Sequence, residues 1–306
     1  MKFFFMGLEF SLKKKSKRNL LTQKDIDNYN DKVIKYLKRL NIDEINKRLE
    51  DVTFTVDHGI KKLKQILLHN GIVIIPDYIP QGEMNKISQE LNIIKKKVSS
   101  FISSNQSFKN EDNVLFQKGD FKIKGYDAQA NFHKASVNIR QGQDLGMIDI
   151  FNIDKWYSSI GNTIKPYLNN KMIIELINKE ESYLKPKNLN LYINNGVTKT
   201  RGFHVDSYSR QIKSFVYLED CLSLECGPYT YVKKSHTTSS LKKINNQISS
   251  ILPNKTETPI VLLKNIVPVL AKKGSLIIST QEGSHRGFPQ SPGYQRTVAV
   301  MNYYKT

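Results

Sequence analysis

The chain has 306 residues, 39% hydrophobic and 25% charged, with a formal net charge of +19; it is long enough to bury a sizeable core and has the composition of a folded globular protein. No apolar run approaches the roughly 20 residues of a membrane-spanning helix, the apolar start at 1–10 precedes its lysines where a secretory signal would follow them, and two cysteines, Cys221 and Cys226, make no disulfide framework. A cytoplasmic protein with free thiols and no membrane span is the expectation.

In chain order, the tract Lys13-Lys14-Lys15-Ser16-Lys17-Arg18 reads as a solvated basic segment. Thr22, with Asp25 three residues later, predicts a capped helix through Leu40. Ile60, Leu63, Ile66 and Leu67 share one face of a helix over 57–69, which Asn70-Gly71 stops. The β-branched run Ile72-Val73-Ile74-Ile75 predicts a buried strand, and another helix follows around 83–98. Residues 101–130 read as loop with a strand at 119–124. Alternation at 134–140 predicts a strand, and 155–184 reads as mostly helical.

From Lys187 onward the character changes to short strands separated by Gly, Pro, Asn and Ser. Leu189-Leu191-Ile193, Phe215-Tyr217, Tyr229-Tyr231, Leu276-Ile277-Ile278 and Val298-Val300-Asn302-Tyr303 are their apolar cores. Helices early and strands late suit an α+β fold, a jelly roll buttressed by N-terminal helices. The expected organisation is a basic helical extension at 1–54 and one domain at 55–306.

The chemistry concentrates among these late strands. Gly202-Phe203-His204-Val205-Asp206 puts a histidine and a carboxylate two apart, so on a strand both point to one side and can grip one ion. Alone, this spacing is also what a surface histidine beside a helix-capping aspartate gives. Gly283-Ser284-His285 supplies a third ligand on a loop after the strand at 276–279, completing a facial triad with open positions. Arg296 follows His285 by eleven residues and begins the strand of Val298 and Val300. Its planar fork suits a cosubstrate carboxylate. His236 reads as structural, His58 and His69 as helix or loop histidines, and His133 as the one other histidine near a predicted strand.

The run from Leu189 to Tyr304 resembles the phytanoyl-CoA dioxygenase family of non-heme iron(II)/2-oxoglutarate oxygenases. The matching positions are His204-Val205-Asp206, Tyr217-Leu218-Glu219-Asp220, Cys226-Gly227-Pro228, Lys234-Ser235-His236, Gly274-Ser275-Leu276-Ile277, His285 and Arg296. With Gly71 to Pro76 as a first core strand, the resemblance covers roughly 55–306. It implies a double-stranded β-helix of the cupin type, iron(II) on His204, Asp206 and His285, 2-oxoglutarate as cosubstrate on Arg296, and O2 as oxidant. It also implies a hydroxyl from Tyr192 toward 2-oxoglutarate, where a packed core tyrosine is the alternative. Two positions depart from the pattern: Lys234 stands where the family has glycine, and Ser275 where it has aspartate. Asp206 is present where related halogenases carry a small residue, which implies hydroxylation, or another oxidation, over halogenation.

The implied substrate is a small metabolite, anionic or linked to CoA, a carrier or a nucleotide. Arg201, three residues before His204, is a candidate to meet an anionic group, with a solvated loop arginine as the alternative. Only 8 of the 47 basic residues are arginine, so the lysines read as a solvated surface and nucleic acid is not expected. Two alternatives stand open: a catalytically inactive basic binding protein on the same fold, and a metal-dependent cupin that does not use 2-oxoglutarate.

Overall fold

The computed structural model describes residues 2–5, 8–11, 22–119, 123, 125–179 and 183–305. The basic tract at 13–18 and most of the strand expected at 119–124 lie outside the described residues. β1 (Lys2–Phe5) and β2 (Leu8–Ser11) pair antiparallel. Thr22 caps α1 (Gln23–Leu37): its hydroxyl accepts from the Asp25 backbone N–H, and the Asp25 carboxylate accepts from the Thr22 N–H. The helix ends three residues before the expected Leu40. Asn41 and Glu44 form the same reciprocal cap on α2 (Ile42–Glu50), whose apolar face is only Ile45 and Leu49, too short a pattern to announce a helix.

α3 (Gly59–Asn70) stops on Gly71, in the left-handed conformation at φ 79° that glycine adopts without a Cβ clash. β3 (Ile72–Ile75) is buried throughout, and α4 (Gln81–Ser103) runs longer than predicted at both ends. The segment expected to be loop instead carries β4 (Phe108–Asn110) and β5 (Val114–Lys118), followed by α5 (Tyr126–Asn131). Then come β6 (Ala135–Ile139), β7 (Met147–Phe151), α6 (Ser158–Leu168), α7 (Lys171–Ile177) and β8 (Leu184–Asn195). β9 (Ile212–Tyr217), β10 (Tyr229–Val232), α8 (Ser240–Ser250), β11 (Ile266–Pro268), β12 (Leu276–Thr280), β13 (His285–Gly287) and β14 (Gln295–Lys305) complete the chain.

Nine strands form one sheet in the order β3-β12-β9-β14-β8-β7-β6-β5-β4, antiparallel except for the parallel β5–β6 pair. A second, antiparallel sheet has the order β11-β10-β13. The expected division into early helices and late strands therefore needs correcting, because β3 to β7 all come from the first half. β4 is an edge strand with Lys109 and Asn110 exposed, and β7 carries Asp149 inside its apolar run; neither shows clean alternation in sequence.

Period-two alternation sorts the large sheet into two faces. Ala299, Met301 and Tyr303 on β14, with Val216 on β9 and Leu189, Leu191 and Ile193 on β8, pack against α3, α4, α6 and α7. Val298, Val300, Phe215, Tyr217 and Ile277 turn the other way, onto Tyr229, Tyr231, Val267 and Val269 of the second sheet and the strap between its strands. The two sheets thus face each other across an apolar core, one backed by helices. The other is covered on its outside by α1, whose Tyr29, Val33 and Leu37 meet Val232, Ile266, Phe203 and Phe288. Fully burying a side chain such as Leu37 contributes roughly 1.5–3 kcal/mol, so α1 is held chiefly by this seam. α2 adds Ile45 and Leu49 to the inter-sheet core.

Candidate metal centre

The open end of this sandwich holds a cavity of about 530 Å³, and His204, Asp206, His285, Tyr192 and Arg296 all line it. Their backbone settings differ from the sequence reading in two respects. His285 heads β13 instead of lying in a loop. His204 and Asp206 sit on an irregular extended segment, where His204 makes only isolated bridges to His285 and Glu257. The bridge to His285 is reciprocal: His204 N–H donates to the His285 carbonyl at 3.0 Å, and His285 N–H donates to the His204 carbonyl at 2.9 Å. Asp206 N–H donates to the Gln281 carbonyl at 3.0 Å. His204 and His285 are thereby tied directly to each other through backbone, and Asp206 to the segment that leads to His285.

Each imidazole is also oriented by its own segment. His204 Nδ1 lies 2.8 Å from the Gly202 carbonyl, and His285 Nδ1 lies 2.9 Å from the Gly283 carbonyl. A protonated Nδ1 donating to each carbonyl leaves both Nε2 lone pairs facing the cavity, the arrangement a metal-ligating histidine needs. Gly283 is dictated by space as well, since a Cβ there would lie 1.9 Å from the buried Tyr231 hydroxyl. Asp206 Oδ1 lies 3.8 Å from His204 Nε2 and 3.6 Å from His285 Nε2, and the three ligand atoms fall within 4.8 Å of one another.

The electrostatics suit cation binding. Burial, reinforced by His285 and Arg201, pushes the His204 imidazole well below its ordinary range, which favours the neutral form with a free lone pair. Burial opposes ionisation of Asp206, but the Lys213 ammonium and the two imidazoles overcome it and hold the carboxyl well below the usual carboxylate range. The 25% of the Asp206 side chain that is exposed belongs to a cavity wall. Two imidazole nitrogens and one carboxylate oxygen, open on the cavity side, fit the facial ligand set of non-heme iron(II).

Arg296 enters from β14 on the same face as Val298 and is 6% exposed; among the described residues its Nε and Nη1 have no hydrogen-bond partner. Tyr192 stands across from Val298 on one side and Asp149 on the other. Arg201 lines the cavity with its guanidinium on Glu257 Oε1 at 3.0 Å and Thr256 Oγ1 at 2.6 Å. His236 instead ties its turn to α3, with Nε2 3.0 Å from the Leu68 carbonyl, and His58, His69 and His133 line no part of this cavity. Lys234, where the resemblance has glycine, keeps a left-handed backbone at φ 65°.

The sequence reading missed several cavity residues. Lys213 sits 2.5 Å from Asp206 Oδ2, and its alternation with Phe215 and Tyr217 on β9 is the signal that could have found it. Arg140 grips Asp149 through Nε and Nη2, at 2.7 and 3.1 Å, and Asp144 through Nη1 at 2.8 Å. The carboxylate inside the apolar run of β7 hinted at that pair. A second cavity of about 930 Å³ shares Arg140, Asp144, Thr200 and Arg201 with the first and takes Asp27 and Asn30 of α1 into its wall.

No family model matches the sequence, and no curated protein matches it. Among solved structures, the chain is similar to the non-heme alpha ketoglutarate dependent epimerase SnoN from nogalamycin biosynthesis. That likeness has a TM-score of 0.52 at 13% identity, covering 81% of this chain and 83% of that one. The non-heme alpha ketoglutarate dependent carbocyclase SnoK from the same biosynthesis gives 0.50 at 13% identity, covering 82% and 86%. At such identity the shared property is the fold.

Proposed function

We propose that this chain is an iron(II)- and 2-oxoglutarate-dependent oxygenase on a double-stranded β-helix core of the phytanoyl-CoA dioxygenase type. In this reading His204, Asp206 and His285 hold the iron, Arg296 receives the distal carboxylate of 2-oxoglutarate, and Tyr192 borders the cosubstrate. The observation that carries it is the Arg296 guanidinium, buried in the wall of the triad's cavity with Nε and Nη1 unpartnered. A buried cationic fork with two of its three nitrogens unpartnered is costly, and a dianionic cosubstrate would satisfy them. A metal-dependent cupin without such a cosubstrate leaves that cost unexplained. The intact triad likewise disfavours an inactive binding protein.

When bound, iron, 2-oxoglutarate and O2 supply the oxidising power, with succinate and CO2 released. The chain's own residues orient and exclude: the glycine carbonyls fix the imidazoles, Arg296 orients the cosubstrate, and Phe215, Tyr229 and Val298 keep one side of the cavity dry. The substrate is a small molecule entering through the adjoining cavity. Arg140 and Arg201 are already neutralised there by Asp149, Asp144 and Glu257, so Lys118 and Lys199 are the cations of that wall that would meet an anionic group. Asp206 leaves no room in the ligand set for a halide, so hydroxylation of a C–H bond is the reaction proposed.

The test is anaerobic titration of the protein with iron(II) and then 2-oxoglutarate. A weak visible charge-transfer band saturating at one equivalent of each is the expected result. Iron binding without any spectral or calorimetric response to 2-oxoglutarate would remove the chain from this class.

A further inference from the structure

The carboxylate of Asp206 is divided between two kinds of neighbour. Its Oδ1 faces the Nε2 atoms of His204 and His285, at 3.8 and 3.6 Å, while its Oδ2 receives the Lys213 ammonium at 2.5 Å. Lys213 is 9% exposed and stands on the cavity face of β9 beside Phe215. A lysine there is not a surface accident. Removing it from the metal-free protein would leave a carboxylate facing the cavity without its ammonium partner, which is destabilising. In the loaded protein, an ammonium on one oxygen and a divalent ion on the other repel each other through a poorly screened interior.

We propose that Lys213 is a built-in counter-cation of the metal centre: it confines Asp206 to one ligand oxygen, substitutes for the metal's charge before loading, and sets metal affinity below that of the bare triad. The inference rests on the metal reading above, and it makes Lys213 a positioning residue that acts through Asp206. The sign of its effect is fixed by two contributions that agree. Without the lysine, the metal-free state loses its compensating cation, and the loaded state loses a repulsion and gains a second available ligand oxygen. Both tighten metal binding. A lysine that merely filled space would, on removal, weaken the fold and leave metal affinity equal or lower.

The experiment compares the full-length protein with its Lys213→Met, Lys213→Arg and His285→Ala variants by anaerobic Co2+ titration, followed through visible absorption, with thermal unfolding in the absence and presence of saturating Co2+. Lys213→Met should bind Co2+ at least about tenfold more tightly, and its unfolding midpoint should rise more on Co2+ addition than that of the parent. Lys213→Arg should return both quantities toward the parent values. Unchanged or weaker Co2+ binding by a folded Lys213→Met overturns the inference. Should that variant not fold, Lys213→Gln is scored by the same criterion. A parent protein that binds no Co2+, or a His285→Ala variant that binds it fully, overturns the metal reading itself and this inference with it.

Discussion

Arg296 on β14 stands directly across from Asn194 on β8, and each ends in buried atoms without a partner among the described residues: Nε and Nη1 of the arginine, Oδ1 of the asparagine. A donor pair and an acceptor this close that do not satisfy each other are aimed elsewhere, and both line the cavity that His204, Asp206 and His285 share. Losing one partner of a bidentate, buried charge pair costs ~3–5 kcal/mol, or roughly two to four orders of magnitude in affinity. Arg296→Ala should therefore raise the 2-oxoglutarate dissociation constant by about that much while iron still binds. Arg296→Lys should fall between, because a point charge cannot reproduce the fork. Anaerobic calorimetry on the iron-loaded protein reads this directly, and an unchanged constant in the alanine variant would remove Arg296 from the role.

Removing one imidazole should abolish stoichiometric iron binding without unfolding the protein. The reciprocal backbone bonds between His204 and His285 do not involve the side chains, so His204→Ala retains them. Metal analysis after gel filtration, with circular dichroism on the same sample, separates the two effects. Iron retained by the double variant His204→Ala, His285→Ala would show that the metal lies elsewhere.

The amino-terminal segments should divide sharply in their importance. Deleting residues 1–18 keeps Thr22 and Asp25, which cap α1, and the deleted segment lies outside the resemblance, so iron and 2-oxoglutarate binding should stay within a few-fold of the parent. Leu37→Ala removes a fully buried side chain from the seam with Phe203 and Phe288. It should cost ~2–5 kcal/mol in urea denaturation. A loss below about 0.5 kcal/mol, the usual range for surface substitutions, would mean that α1 is not held by that seam.

Lys234 offers a gain instead of a loss. Its backbone at φ 65° is one that glycine adopts freely and lysine does not, and its N–H donates to the Asn70 carbonyl at 2.9 Å, which fixes the turn. Lys234→Gly should relieve about 1 kcal/mol of strain, offset in part by the greater freedom of glycine in the unfolded chain. The expected net is a rise of a few tenths to about 1 kcal/mol, seen as a higher urea midpoint at constant slope. Lys234→Ala, which keeps the Cβ, should show no such gain.

Much of this was legible in the sequence because a few residue types admit few settings. Thr22 with Asp25 marked the start of α1 and Asn70 with Gly71 the end of α3, and the odd-numbered Val73 and Ile75 against Ile72 and Ile74 do sort to opposite faces of β3. His204, Asp206, His285 and Arg296, scattered over nearly a hundred positions, meet around one cavity. Lys213 escaped notice because one lysine among many carries no compositional signal, and only its place in an alternating strand distinguishes it. β4 and β7 escaped for a related reason: an edge strand stays polar on its free side, and a cavity-facing strand replaces apolar side chains with groups such as Asp149.

The paired backbone bonds between His204 and His285 have a consequence for how the protein moves. Two segments far apart in sequence are stitched at the point where each presents its imidazole. Any breathing of the loop before His204 as a substrate enters must carry β13 along with it, so the spacing between the imidazoles is preserved. Asp206 is fastened differently, through Gln281 and Lys213. Its backbone bond runs to neither histidine, so displacement of the loop would register first as a change in how far the carboxylate stands from the paired imidazoles.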